Sequence, residues 1–274
     1  MPRPRLLACL LCASLLTACN GYFGASDGDE DGNGGGSASD AQGIWVGTTS
    51  DRYRLHMLVT PQNELWALSW DESFNQVSRL TQGSGSQSGK TFTGSGKNFA
   101  AGDSATVSSA TLTGTVESQA TFNGGLGQNV TFTSSYDGQY GNRFALGDFA
   151  GTWQGFDSSG SAVTFTVQSD GRYRASSQIS GRSDACNVDG RFAAAPSDKN
   201  YATTTMTFGS ATNCLSQHAG LSLQGVALRL TETGADPLLL VEATDSGKTV
   251  AWFAYARLQA ATGDTSDEDG TDEN

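Results

Sequence analysis

The chain has two histidines and five cysteines, and the chemistry these could do depends on their neighbours. His56 follows Arg52 and Arg54 in Arg52-Tyr53-Arg54-Leu55-His56. In an extended strand these alternate positions share one face. Such a stripe could hold a small anion, although a solvated strand face explains the same pattern more simply. His218 comes shortly after Cys214 in a polar stretch and is expected as a solvated loop residue. Trp66 and Trp70, with Phe74, gather aromatics around one hairpin. Exposed aromatics on a β scaffold suit sugars or partner proteins. Core packing is the expectation for Trp66, while Trp70, beside Asp71 and Glu72, is balanced between packing and contact. The Asp71-Glu72 pair itself fits a turn.

Other motifs fall short of a reaction. Gly89-Lys90-Thr91 resembles the end of a phosphate loop, but the leading glycine position falls on Ser84, and Phe92-Thr93-Gly94-Ser95-Gly96 cannot open a helix. Asp27-Gly28-Asp29-Glu30-Asp31-Gly32 opens like a calcium loop, yet Ala38 stands where the bidentate glutamate belongs. No G-x-S-x-G elbow is present. No catalytic residue, metal site or cofactor is therefore expected, and the chain is read as a non-enzyme.

Cys19 is different. Arg3 and Arg5 precede an apolar run from Leu6 to Leu16, then the small residues Thr17 and Ala18. The run is far shorter than the roughly 20 residues a membrane-spanning helix needs, and it has the zones of a secretory signal. Leu16-Thr17-Ala18-Cys19 resembles the bacterial lipobox, which implies cleavage before Cys19 and diacylglycerol on its thiol. Residues 1–18 are then a signal peptide, and Cys19 anchors the chain to a membrane through lipid. Asn20 in place of an aspartate implies the outer membrane, with the periplasmic or surface face open. Cys186 and Cys214 are then an even pair in an exported chain, so a disulfide is the default over a metal or redox pair.

The formal net charge of −12 is unevenly placed. Asp27, Asp29, Glu30, Asp31 and Asp40 lie in a Gly- and Ser-rich stretch, and Asp264, Asp267, Glu268, Asp269, Asp272 and Glu273 lie in the last residues. Neither segment holds a lysine or arginine, and between them acids and bases nearly balance. Residues 19–40 are expected as a disordered acidic stalk behind the lipidated cysteine, and 262–274 as a disordered acidic tail. Nucleic acid is excluded as a partner, because no basic patch is evident.

The elements that must position these residues are short strands. Tyr53, Leu55, Met57 and Val59 share one face of a strand while Arg52, Arg54 and His56 share the other, and Val163, Phe165 and Val167 alternate with Ala162, Thr164, Thr166 and Gln168. This period marks antiparallel strands with one face buried. Gly43-Ile44-Trp45-Val46-Gly47 and Gly151-Thr152-Trp153-Gln154-Gly155 share the word G-x-W-x-G, each followed by roughly eight candidate strands. A duplicated all-β architecture follows: two tandem antiparallel, eight-stranded, up-and-down barrel-like domains at 41–140 and 148–261, the second carrying the cysteine pair.

Val130-Thr131-Phe132-Thr133-Ser134-Ser135-Tyr136-Asp137, the Trp153 word, and Cys186 and Cys214 flanking Asn200-Tyr201 resemble a group of uncharacterised proteobacterial outer-membrane lipoproteins with two tandem small β domains. The layout is also loosely similar to neisserial surface lipoproteins of the transferrin-binding and factor-H-binding type. The uncharacterised group has no assigned activity to carry over, and likeness of fold does not establish function; the chain itself is read as a membrane-anchored, non-catalytic lipoprotein that displays its β domains for a protein or glycan partner. Trp66, Trp70, Arg52, Arg54 and His56 are the candidate ligand contacts. The alternative is a lipocalin-like carrier of a small apolar ligand inside a barrel.

Overall fold

Residues 41–102, 106–127 and 129–260 are described by a computed structural model, and all lie in one unit, Ser37–Asn274. The expectations for the signal segment, Cys19, the stalk and the acidic tail fall outside the described residues. The first eight strands are β1 Gly43–Thr49, β2 Arg54–Val59, β3 Glu64–Asp71, β4 Gln76–Ser88, β5 Thr91–Ala100, β6 Val107–Glu117, β7 Thr121–Leu126 and β8 Thr131–Asp137. Each pairs antiparallel with the next, and β8 returns to β1 through Ile44↔Asp137 to Thr49↔Phe132. Two short 3-10 turns, Gly138–Gly141 and Leu146–Phe149, lead onward.

The second set is β9 Gly151–Asp157, β10 Ala162–Val167, β11 Arg172–Ser177, β12 Cys186–Ala194, β13 Ala202–Phe208, β14 Ser222–Leu230, β15 Leu238–Thr244 and β16 Ala251–Leu258. It closes through Ala254↔Asp157 to Leu258↔Trp153. The protein is therefore two closed, antiparallel, eight-stranded barrels in tandem. Closure leaves neither sheet with an edge to pair with another chain.

The repeated word occupies matching places. Trp45 and Trp153 both point into their barrels, and each indole Nε1 donates to a backbone carbonyl at 2.9 Å, Ala41 O and Phe149 O respectively. The glycine that ends each word lies where two strands nearly touch. A Cβ on Gly47 would lie 1.9 Å from Thr133 O, and one on Gly155 would lie 1.9 Å from Tyr255 O. Only a residue without a side chain fits at either point.

Both interiors are filled. In the first barrel Trp45, Phe92, Phe122 and Phe132 interlock edge to face at 5.3–5.5 Å between Trp45 and Phe122, Phe92 and Phe122, and Phe122 and Phe132, with Leu55, Met57, Val59 and Leu112 around them. In the second, Trp153, Phe165, Tyr173, Phe192, Phe208 and Trp252 form one cluster. Its ends are shut as well. Phe149 and Leu146 of the connecting segment pack at the β10–β11 end, where Phe149 lies 5.2 Å from the Phe192 ring. At the other end the loop before β14 packs inward. Cys214 there is joined to Cys186 at the start of β12, with Cα atoms 4.5 Å apart.

A third apolar layer belongs to neither interior. Leu58, Trp66, Leu68, Trp70, Val77 and Leu80 of the first barrel pack with Val226, Leu228, Leu238, Leu240, Phe253 and Tyr255 of the second. These are the outer faces of β2, β3 and β4 against those of β14, β15 and β16. Strands here are buried on both sides, which is why all seven residues of β15 are buried.

Candidate functional site

The residues singled out around the first barrel's hairpin come together at the joint between the barrels. Trp70 is fully buried. His56 stacks on its ring at 4.9 Å and 27°, and Tyr255 of the second barrel stacks on it at 5.9 Å and 25°. The Arg54 guanidinium sits over the same indole, 5.3 Å from its centre. This aromatic stack runs across the interface, so Trp70 is a packing residue and not an exposed ligand contact. His56 is not on a solvated face either. It is buried, because the outer side of β2 meets the second barrel. Burial, then the charges of Arg54 and Arg257, press its pKa down to about 3 and keep the ring neutral.

Above the stack lies a four-membered ion network. Arg54 and Glu72 come from the first barrel, Glu232 and Arg257 from the second. Arg54 Nη1 donates to Glu72 Oε2 at 3.0 Å, and its other terminal nitrogen pairs with Glu232. Arg257 Nε and Nη2 donate to the two Glu72 oxygens at 2.8 and 2.9 Å, and Nη2 also reaches Glu232 Oε2 at 2.5 Å. The Arg257 hydrogen bond leads the effects that lower the Glu72 pKa. At Glu232 desolvation works upward, and the Arg257 and Arg54 contacts outweigh it. Each charge has opposite charges on both barrels, so the arrangement fixes how the barrels meet. Arg52 does not join it. It lies in the turn before β2 with φ of 73°, exposed at the rim of the network beside Ser73.

Trp66 is also almost wholly buried in the shared layer. One edge of it lines a cleft between the barrels with Gln82, Tyr201, Thr203 and Gln224. His218 departs from the solvated loop expected for it. It is buried, stacked on Phe208 at 5.1 Å, with Nε2 3.1 Å from Ala251 O. Its loop plugs the barrel end beside the Cys186–Cys214 link. Burial is the largest effect lowering its pKa.

A broad concavity lies elsewhere, on the outer face of β10 to β14. This groove of about 820 Å³ is bordered by Arg172, Arg174 and Arg191, with Asp189 the one acid in its lining, and by Gln168, Thr205, Thr207, Ser222 and Gln224. Arg174 pairs with Asp189 at 2.9 Å and Arg172 with Asp170 at 3.5 Å, all of them well exposed. Arg191 lies directly opposite Arg172 in the β11–β12 register. The floor is formed where Tyr173, Met206 and Leu223 turn inward. The local sequence signal for this groove is Arg172-Tyr173-Arg174. Strand alternation puts a buried ring between two outward guanidinium groups. Cross-strand pairing with Arg191 depends on register and is not legible locally. Among the described residues, no group of three or more His, Cys, Asp or Glu side chains is placed to hold a metal ion.

No protein-family model matches the chain, and no curated protein matches it. Among solved structures it is similar to the vaccine antigen transferrin-binding protein B of Haemophilus parasuis Hp5, at 10% identity and a TM-score of 0.29. The match covers 76% of this chain and 66% of that one, so the chain spans just under two thirds of its length.

Proposed function

We propose that the chain is a non-catalytic lipoprotein, anchored through lipid on Cys19 at the cell envelope, whose barrels bind a protein or glycan partner through their outer faces. The observation that carries this is the packing of both interiors. An eight-stranded barrel is just wide enough to be filled by its own side chains or to hold one small ligand. Here Trp45, Phe92, Phe122 and Phe132 fill one and Trp153, Phe165, Tyr173 and Trp252 the other. Carriage of an apolar ligand needs a void along the axis, so the lipocalin-like alternative is disfavoured. The arginine-bordered groove is the surface best shaped for a partner, because its guanidinium groups and hydroxyls suit anionic and hydroxylated chemistry.

Two experiments test this. A photo-crosslinking residue at Thr205, on the groove wall, should give a discrete adduct in intact cells. A matching residue at His56, in the barrel joint, should give none. Absence of any adduct at Thr205, together with a small molecule retained in native mass spectrometry, would replace binding with carriage. The anchor is tested separately. Cys19→Ser should move the chain from membrane to soluble fractions, and continued sedimentation with membranes would refute lipid attachment.

A further inference from the structure

The last described residues leave the second barrel beside the groove. Gln259 N donates to Thr152 O at 2.8 Å, continuing β16 along β9. Thr152 pairs with Thr166, Thr166 with Arg174, Arg174 with Asp189, and Asp189 with Thr207. The exit point and the groove therefore share one cross-strand row. Between Gln259 and Arg174 that row contains only threonines, with no acid to repel an anionic segment. Three strand spacings separate them, roughly 14 Å. The residues from 260 to Asp264 span up to about 17 Å when extended. The ten-residue stretch 264–273 reaches about 33 Å, more than the roughly 19 Å across four spacings from β10 to β14.

Charge matches reach. The stretch 264–273 holds six acids and no lysine or arginine. The groove presents three arginines against a single acid in its lining. Arg191 makes no ion pair among the described residues. The Arg172–Asp170 and Arg174–Asp189 pairs are exposed, and exposed pairs are weak enough to exchange partners.

We propose that the acidic run 264–273 docks in cis across Arg172, Arg174 and Arg191. The chain thus masks its own groove, and any external anionic partner must displace this run first. The proposal rests on reach and charge and stands whether or not a partner exists.

The test uses the chain beginning at Asn20. It keeps both barrels, and its only native cysteines are the paired Cys186 and Cys214. A nitroxide is attached to Ser266→Cys, and amide signals of the ¹⁵N-labelled chain are read by NMR. At ionic strength near 0.01 M, where the Debye length is about 30 Å, signals of Arg172, Arg174, Asp189 and Arg191 should be strongly broadened. They should recover near 1 M, where it is about 3 Å, and in Arg172→Gln/Arg174→Gln/Arg191→Gln. Unbroadened groove signals at low salt, or broadening centred on another face, would overturn the proposal. So would broadening that persists when unlabelled spin-labelled chain is mixed with ¹⁵N chain lacking the label, because that places a second copy's run in the groove. A docked run would also meet a crosslinker at Thr205, but that adduct joins the chain to itself at unchanged mass, whereas a partner adduct adds mass, so failure here and failure of the binding function are told apart.

Discussion

Glu242 should make the folded protein lose stability as pH rises through neutrality. Its side chain is buried, and neither carboxyl oxygen has a hydrogen-bond partner. It lies on β15 between Val226 and Phe253 in register, with Leu238 and Leu240 of the barrel joint on the same face. An ionised carboxylate there would be desolvated with nothing in return. Burial accordingly raises its pKa from 4.5 to about 8. The folded state then holds a proton that the unfolded state has released anywhere between these values. Its contribution is fully present below pH 4.5 and is lost as pH climbs to about 8, at about 1.4 kcal/mol per pH unit. At pH 7 the cost is about 3 kcal/mol. His56 has the opposite sign. Its folded pKa of about 3 lies below 6.5, so its contribution is present above pH 6.5 and lost as pH falls toward 3. The two slopes cancel between pH 4.5 and 6.5, leaving a plateau from this pair. Glu242→Gln keeps the shape and a similar number of unpaired polar atoms but carries no charge. Denaturant titrations of both proteins from pH 4 to 9 isolate the single group, since every other titration is shared. The variant should match the wild type near pH 4 and exceed it by about 3 kcal/mol at pH 7, a rise of about 10 °C in Tm at about 2–4 °C per kcal/mol. Parallel stability curves, with a constant offset at every pH, would refute the reasoning.

Two further outcomes follow from the geometry. Cys186→Ser/Cys214→Ser opens a link between residues 28 apart and should cost about 3.5 kcal/mol in the chain-entropy model. The loss should be confined to the second barrel in hydrogen exchange, and equal loss in the first barrel would count against it. Gly47→Ala and Gly155→Ala each drive a methyl to 1.9 Å from a carbonyl oxygen and should each cost about 3 kcal/mol or more. Gly147→Ala meets nothing within 4 Å and should stay within about 0.5 kcal/mol by the same denaturation measurement.

Much of the architecture is legible locally. Val163, Phe165 and Val167 alternate with polar residues because one side of β10 meets the interior and the other meets water. The G-x-W-x-G words are visible because both barrels need an indole inside and a bare backbone at the same point. The joint is not legible. His56 shares a strand face with Arg52 and Arg54 and reads as exposed, yet its face is covered by strands some two hundred residues away in sequence, as the Trp70–Tyr255 stack records. Trp70 is ambiguous for the same reason. Whether an outward residue of a barrel meets water depends on a partner domain, and no local period encodes that. His218 reads as a loop residue, and it is one. Its burial comes from a plug that only the folded barrel end creates.

The shared layer also has a consequence for synthesis. The first barrel is complete at Asp137, so it emerges and can close before most of the second has left the ribosome. Until β14, β15 and β16 arrive, Leu58, Trp66, Leu68 and Trp70 lie bare on its flank. The finished molecule hides this stripe, but the nascent one displays it for the time needed to deliver roughly 120 more residues, about 6–24 s at 5–20 residues per second. During synthesis this stripe is the surface a holdase chaperone would grip. An isolated first barrel would keep it permanently, which makes self-association the expected fate of a truncated chain.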